Sequence, residues 1–251
     1  MSRDYNKYWS SLTASHNDHP GNRFRYHLIA QELSRMGVRP HRIVDCGCGD
    51  GSLLSVIARR LPFDELHGLD IAGNVPVHHA GVPIQFRQQD LGSPVPQELW
   101  GQFDLVLCSE VIEHVPNDDM VLRNLHALAA PGGTVVLTTQ SGNIYRTEQF
   151  LGHLRHYRIA DLCARAEKVG LTVRRAYLTG WPWLNMQKAG AHYLQGFVQK
   201  NIVQAKTLSA KVRAIFFVLY HLYRFSSKRR GPQIVIVAAK PALSAVPQND
   251  Q

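Results

Sequence analysis

Little in this chain points to a metal, to secretion or to a membrane span. Its four cysteines, Cys46, Cys48, Cys108 and Cys163, lack the spacing of a zinc ribbon. Cys46 and Cys48 have no second ligand pair, so no metal is expected and the thiols read as reduced and buried. The longest apolar run, residues 214–223, is too short to cross a bilayer. No basic, apolar, small-residue succession opens the chain: residues 1–22 are polar and aromatic, and a cytoplasmic location is expected. Acid is scarce as well. Nineteen Asp and Glu against 28 Lys and Arg leave a formal charge of +9. That excess admits nucleic acid or anionic lipid without selecting either. Zinc-finger spacing and an RNP-like aromatic strand are absent. Basic residues are scattered apart from Lys228-Arg229-Arg230, so a solvated basic surface is expected and nucleic acid ranks below a small molecule. What is present suits one large core: 251 residues, 45% of them apolar.

The chain is organised around residues 42–54. Ile43 and Val44 close a buried strand, residues 52–61 have helical spacing, and Gly47, Gly49 and Gly51 lie between. A glycine loop lets a ligand rest on bare backbone, and the helix N-terminus beyond can stabilise negative charge. The pattern Gly-x-Gly-x-Gly is neither a dinucleotide fingerprint nor a lysine-bearing phosphate loop. Further strands are expected at 65–71, ending in acid, at 83–91, at 103–108 and at 134–139. Helices are expected before the loop, reaching Met36 with Gly37 as C-cap, then at 117–130 and at 159–169. Imperfect alternation at 171–178 and a clean run at 233–239 supply the last two strands. Strand–helix alternation of this kind predicts a three-layer α/β architecture.

Two motifs give these elements a likeness. Ile43-Val44-Asp45-Cys46-Gly47-Cys48-Gly49-Asp50-Gly51 fills every position of the first motif of class I S-adenosylmethionine-dependent methyltransferases. The stretch from Ser109-Glu110 to Glu113-His114, followed by a helix and Pro131-Gly132-Gly133, matches a second motif pair of that family. The chain therefore resembles the small-molecule branch of these enzymes. The resemblance implies a Rossmann-like fold whose mostly parallel seven-stranded sheet has the order 3-2-1-4-5-7-6, with an antiparallel last strand. It implies S-adenosyl-L-methionine as cofactor: Asp45 orients the loop, and Gly47, Cys48, Gly49 and Gly51 admit the methionyl part. Asp70, with Ile71 beside it, holds ribose; Asp90 meets adenine and Leu91 covers its ring; Ser109 and Glu110 lie on the same edge. No Asn/Asp-Pro-Pro-Tyr/Phe signature follows the fourth strand, which argues against base N-methylation.

The acceptor side is less marked. His153 and His156, in a polar loop after the fifth strand, and His114 are candidate catalytic histidines, because imidazole titrates near neutrality. Arg23 and Tyr26 are candidate substrate contacts from a lid; Arg155, Tyr157 and Trp181 are candidates from the other side. The expected organisation is a helical lid at 1–40, a cofactor-binding core at 41–179, a helical cap at 180–232, a final core strand at 233–240 and a tail at 241–251. The cap ends in a stretch apolar almost all round. A bulky or apolar substrate, a second copy in a homodimer or a membrane surface must cover it, unless the core does. The expected function is methyl transfer to a hydroxyl or amino group of a small metabolite. The alternatives are RNA methylation and a non-catalytic cofactor-binding regulator.

Overall fold

The computed structural model describes residues 19–37, 39–73, 83–194, 196 and 208–242. The aromatic opening, residues 195–207 of the cap apart from Gly196, and the tail beyond 242 lie outside these. Seven strands, β1 (Arg42–Cys46), β2 (Glu65–Asp70), β3 (Gln85–Gln88), β4 (Phe103–Ser109), β5 (Ala129–Gln140), β6 (Thr172–Thr179) and β7 (Gln233–Ala239), form one sheet of order β3-β2-β1-β4-β5-β7-β6. The first five pair in parallel, and β7 runs antiparallel to both β5 and β6. Order and polarity are those the resemblance implied.

Among the described residues seven α-helices accompany them: α1 (Pro20–Met36), α2 (Ser52–Ala58), α3 (Asp118–Leu128), α4 (Arg146–Leu151), α5 (Ile159–Lys168), α6 (Trp183–Tyr193) and α7 (Ala210–Tyr223). The central strands are apolar on both faces because both are covered. Ile43, Leu105 and Leu107 point to one side, where Leu33 of α1 and Leu54 and Ile57 of α2 meet them. Val44, Val106 and Cys108 point to the other, onto Leu122 and Leu125 of α3 and Leu162 of α5. Burying each such leucine stabilises the fold by about 1.5–3 kcal/mol.

A third cluster joins the segment between β6 and β7 to the core. Phe24 and Leu28 of α1 pack there with Leu184, Tyr177, Val235 and Tyr223. Helix α1 thus buries two faces, one on the sheet and one on α7, and Met36 at its end is 39% exposed. Gly37 ends the helix at φ 61°, as the sequence predicts.

Three boundaries differ from expectation. Helix α2 stops at Ala58, and the third strand is only Gln85–Gln88. Strand β5 begins at Ala129, so Pro131-Gly132-Gly133 runs inside it, with a register shift against β4. A Cβ on Gly133 would sit 2.9 Å from the Phe103 carbonyl, so the motif glycine admits a backbone approach rather than only a stop. Among the described residues no helix is long and apolar enough to cross a membrane.

Candidate functional site

The register of the parallel strands brings one edge of the sheet together. Cys46 pairs with Leu69 on one side and Cys108 on the other, so the glycine loop, Asp70 and Ser109 emerge side by side. Leu69 fixes the loop: its carbonyl accepts the Gly47 and Cys48 N–H groups at 2.7 and 3.0 Å. Gly47 has φ 78°, and a Cβ there would lie 2.3 Å from the Val111 side chain. The carboxylate that bonds the loop backbone is Asp70, not Asp45: Asp70 Oδ2 accepts Gly49 N–H at 2.9 Å, and Oδ1 accepts Ala72 N–H at 2.9 Å. Burial raises the Asp70 pKa against those donors. Asp45 is buried at the loop's base, and its Oδ1 has no hydrogen-bond partner among the described residues. Burial, then the charges of Asp70 and Asp50, push its carboxyl up to about 8. Such an orphaned acceptor costs about 1–3 kcal/mol until a donor reaches it.

Beyond β2, Ile71 is 42% exposed, while Leu91 is 4% exposed and packs in the core with Val44 and Val106. Leu91 is therefore no ring cover. Asn124 of α3 draws it in, donating to the Leu91 carbonyl at 3.0 Å and accepting the Val95 N–H at 3.0 Å. Asp90 is exposed two residues past the Asp70–Gln88 pair, its Oδ1 accepting Gly92 N–H at 2.8 Å. Cys48 is buried with its thiol pKa pushed up by that burial, so it offers backbone only.

At the ends of β4, β5 and β7 the structure builds a polar floor around Glu110. Its backbone has φ 57°, a left-handed conformation costing about 1–3 kcal/mol in a residue other than glycine. Its Oε1 accepts from Gln233 at 2.8 Å and from the Thr138 hydroxyl at 3.4 Å, its Oε2 accepts from Gln140, and the Arg25 guanidinium lies 3.9 Å away. Burial works to raise the Glu110 pKa, but Arg25 and the two glutamines outweigh it and hold the carboxyl below its ordinary value. Arg25 also donates to Ser109 Oγ at 3.2 Å, and Lys188 of α6 donates to Gln140 Oε1 at 2.9 Å. Glu113 goes the other way: burial and the Glu110 charge raise it far above a usual carboxyl, and the Thr139 hydroxyl bonds it at 2.9 Å. Their surroundings thus push the two carboxyls in opposite directions.

Three histidines stand beside it. The His114 and His153 rings meet edge to face at 4.6 Å, and His153 Nδ1 lies 3.0 Å from His156 Nε2. His156 Nδ1 is 3.2 Å from the Gly142 carbonyl, which can only accept. That end fixes the chain: His156 donates from Nδ1, so its Nε2 accepts from His153 Nδ1–H, and His153 Nε2 is left as an acceptor. Burial and the neighbouring His114 lower the His153 pKa to about 3, so its ring is neutral at physiological pH. Burial also lowers His156. Glu113, His114 and His153, and likewise Glu148, His153 and His156, each bring three ligand atoms within 4.8 Å of one another, a spacing that can hold a cation.

A family model described as a methyltransferase domain matches residues 22–176, more than half of the chain. The chain belongs to this methyltransferase family. It is 36% identical over 116 residues to a ubiquinone biosynthesis O-methyltransferase of Pseudomonas aeruginosa, covering 43% of this chain and 48% of that one. The chain thus spans about half the length of the curated relatives it matches. Among solved structures it resembles phosphoethanolamine N-methyltransferase 2 of Haemonchus contortus in complex with S-adenosyl-L-methionine, with a TM-score of 0.53 at 14% identity, covering 83% of this chain and 51% of that. It resembles the [4+2]-cyclase SpnF with a TM-score of 0.60 at 15% identity, covering 87% and 81%. Likeness at that identity shows the fold alone, and the cyclase shows that the fold carries more than one chemistry.

The motifs' resemblance implies S-adenosylmethionine as the cofactor of this family. The residues fit it: a bare loop that Gly47 keeps open, an orphaned Asp45 oxygen suited to an ammonium, and Asp70 and exposed Ile71 at the next strand end. Other expected residues lie elsewhere. Tyr157 is buried, its hydroxyl 2.8 Å from Asp118 and 3.1 Å from the Ile112 carbonyl, and Arg155 pairs with Asp118 at 2.8 Å. With Arg165 they clamp the start of α3 and do not line an acceptor pocket. Burial opposes the Asp118 charge, but bonds from Arg165, Arg155 and Tyr157 hold its carboxyl well below the usual range. Arg23 stacks over Tyr220 at 4.5 Å on the outer side of α1, and Arg25, two residues on, reaches the floor instead. Tyr26 lies between these sides, and burial raises its pKa. Trp181 is half exposed at the start of the insertion. Sequence reasoning missed Gln140 and Gln233, which pair across β5 and β7; the available signal was a polar residue closing one apolar strand and another opening the next.

Proposed function

We propose that this methyltransferase transfers a methyl group to a hydroxyl, ahead of an amine, of a small metabolite lying on the Glu110 floor. The histidine chain carries the reading: it leaves His153 Nε2 as a neutral acceptor next to an ionised Glu110. Bound S-adenosylmethionine supplies a methyl group on a sulfonium, open to attack by a lone pair. His153 would take the hydroxyl proton as the oxygen–methyl bond forms and the sulfur–methyl bond breaks, the sulfur leaving as a neutral thioether, while the Gly142 carbonyl and His156 hold the His153 ring in this tautomer. Glu110 stabilises the imidazolium that results. Lys188 places α6 against this floor, which supports that helix as a cover for a bulky or apolar acceptor.

Labelled methyl transfer into fractionated cell extract, with mass spectrometry of the product, tests the assignment. Label on the oxygen of a small molecule is expected. Label confined to RNA, or no transfer from a protein that binds cofactor, would overturn it. His153→Ala should lower kcat by about 10²–10⁴-fold with cofactor affinity unchanged. Since its pKa is near 3, the rate should not vary with His153 ionisation across neutral pH.

A further inference from the structure

Away from the floor, the outer side of α1 meets α2 and α7 around a cavity of about 320 Å³. Its ionisable lining groups are Arg23, Arg59, Arg60, His27 and the hydroxyls of Tyr26 and Tyr220, with no carboxylate among them. An adjoining cavity of about 310 Å³ shares His27 and adds His221, Arg224 and Lys228, again without an acid. Among the described residues Arg23, Arg59 and Arg60 make no salt bridge. Burial and then the charges of Arg224, Arg60 and Lys228 lower the His27 pKa, so a positive field converges on this hollow.

A solvated basic face would spread its charges over convex surface. Here they meet in a concavity, and the guanidinium of Arg23 is oriented by lying 4.5 Å over the Tyr220 ring. Ser52 and Ser55, only 8% and 5% exposed, close the wall on the α2 side. Guanidinium forks presented together suit the oxygens of a tetrahedral anion better than a carboxylate or a neutral ligand. Position separates this hollow from the acceptor floor, since Arg25 faces the floor and Arg23 faces away from it. We propose that the cavity between α1, α2 and α7 is a binding site for a phosphate ester, held by Arg23, Arg59 and Arg60. The ester can be a soluble metabolite or a lipid headgroup, since α7 also exposes Ile215, Phe217 and Val218 to 55–58%.

The full chain is titrated calorimetrically with glycerol 3-phosphate, and by sedimentation with phosphatidylcholine vesicles with and without phosphatidylglycerol. Saturation by the soluble ester identifies a metabolite site. Binding only to the phosphatidylglycerol vesicles identifies a headgroup site. In either case the Arg59→Glu/Arg60→Glu variant should lose at least about tenfold in affinity, and Arg59→Lys/Arg60→Lys should be weaker than wild type because it keeps charge but not the fork. Cofactor affinity, which these exposed side chains do not touch, should be unchanged and reports folding. Absence of binding to both probes overturns the proposal. So does equal binding by wild type and the lysine variant, which would mark a merely basic surface.

Discussion

The two halves of the site are built by different means. On the β1–β3 side, the candidate cofactor groups are backbone of the glycine loop and carboxylates within one strand of it, Asp45 and Asp70. On the β4–β7 side, one carboxylate is held by Arg25, Gln140 and Gln233, and Lys188 holds Gln140 in turn. The first half is local in sequence and the second is assembled from distant segments. A local half tolerates little change in backbone and much in side chains; an assembled half should do the reverse.

The largest effect should come from Gly47→Val. The added Cβ would overlap Val111 at 2.3 Å, and φ 78° is a poor conformation for a β-branched residue. Isothermal titration should show cofactor binding weakened by about 100-fold or more, since loop closure onto Leu69 and the approach of the ligand fail together. Binding within about threefold of wild type in a folded variant would remove the loop from the cofactor site.

This contrast also explains what the sequence made legible. Glycines, strand-ending acids and the run from Ser109 to His114 sit at fixed local spacing, and the sheet order came with the resemblance they support. Arg25 was passed over for Arg23 because both lie on one helix, and which side met the cleft depended on where α7 packed. Arg155 and Tyr157 were misplaced for a similar reason: their partner, Asp118, opens α3 and had no visible role until the fold closed. Leu91 read as a ring cover since Asp90 preceded it, but Asn124, more than thirty residues later, turns it inward.

A smaller effect, confined to the assembled half, is expected from Glu110→Gln. The amide would set an N–H₂ group against the donors Gln140 and Gln233 and remove the charge facing Arg25. Turnover should fall about 100-fold, as when one preorganised electrostatic group is lost. Cofactor affinity should change by less than about threefold. If cofactor affinity fell as far as turnover, the division into two halves would not hold.

The smallest effect tests the local half through charge rather than shape. Asp45 carries a pKa of about 8, raised from the 3.8 of an unfolded chain by burial and then by Asp70 and Asp50. A carboxyl whose folded pKa is raised keeps its proton in the native state while the unfolded chain releases it. The stability it contributes is therefore full below pH 3.8 and is lost as pH rises toward about 8. Asp45→Asn removes that loss, so the free protein should melt higher than wild type at pH 8 and alike at pH 4. The cofactor ammonium needs the ionised form, so wild-type binding at pH 7 should release protons, visible as a dependence of calorimetric heat on buffer ionisation enthalpy. The asparagine variant should bind about tenfold more weakly at pH 8 and release no such proton. Proton release that survives in the variant would assign it to another group and leave Asp45 as a packing residue beneath the loop.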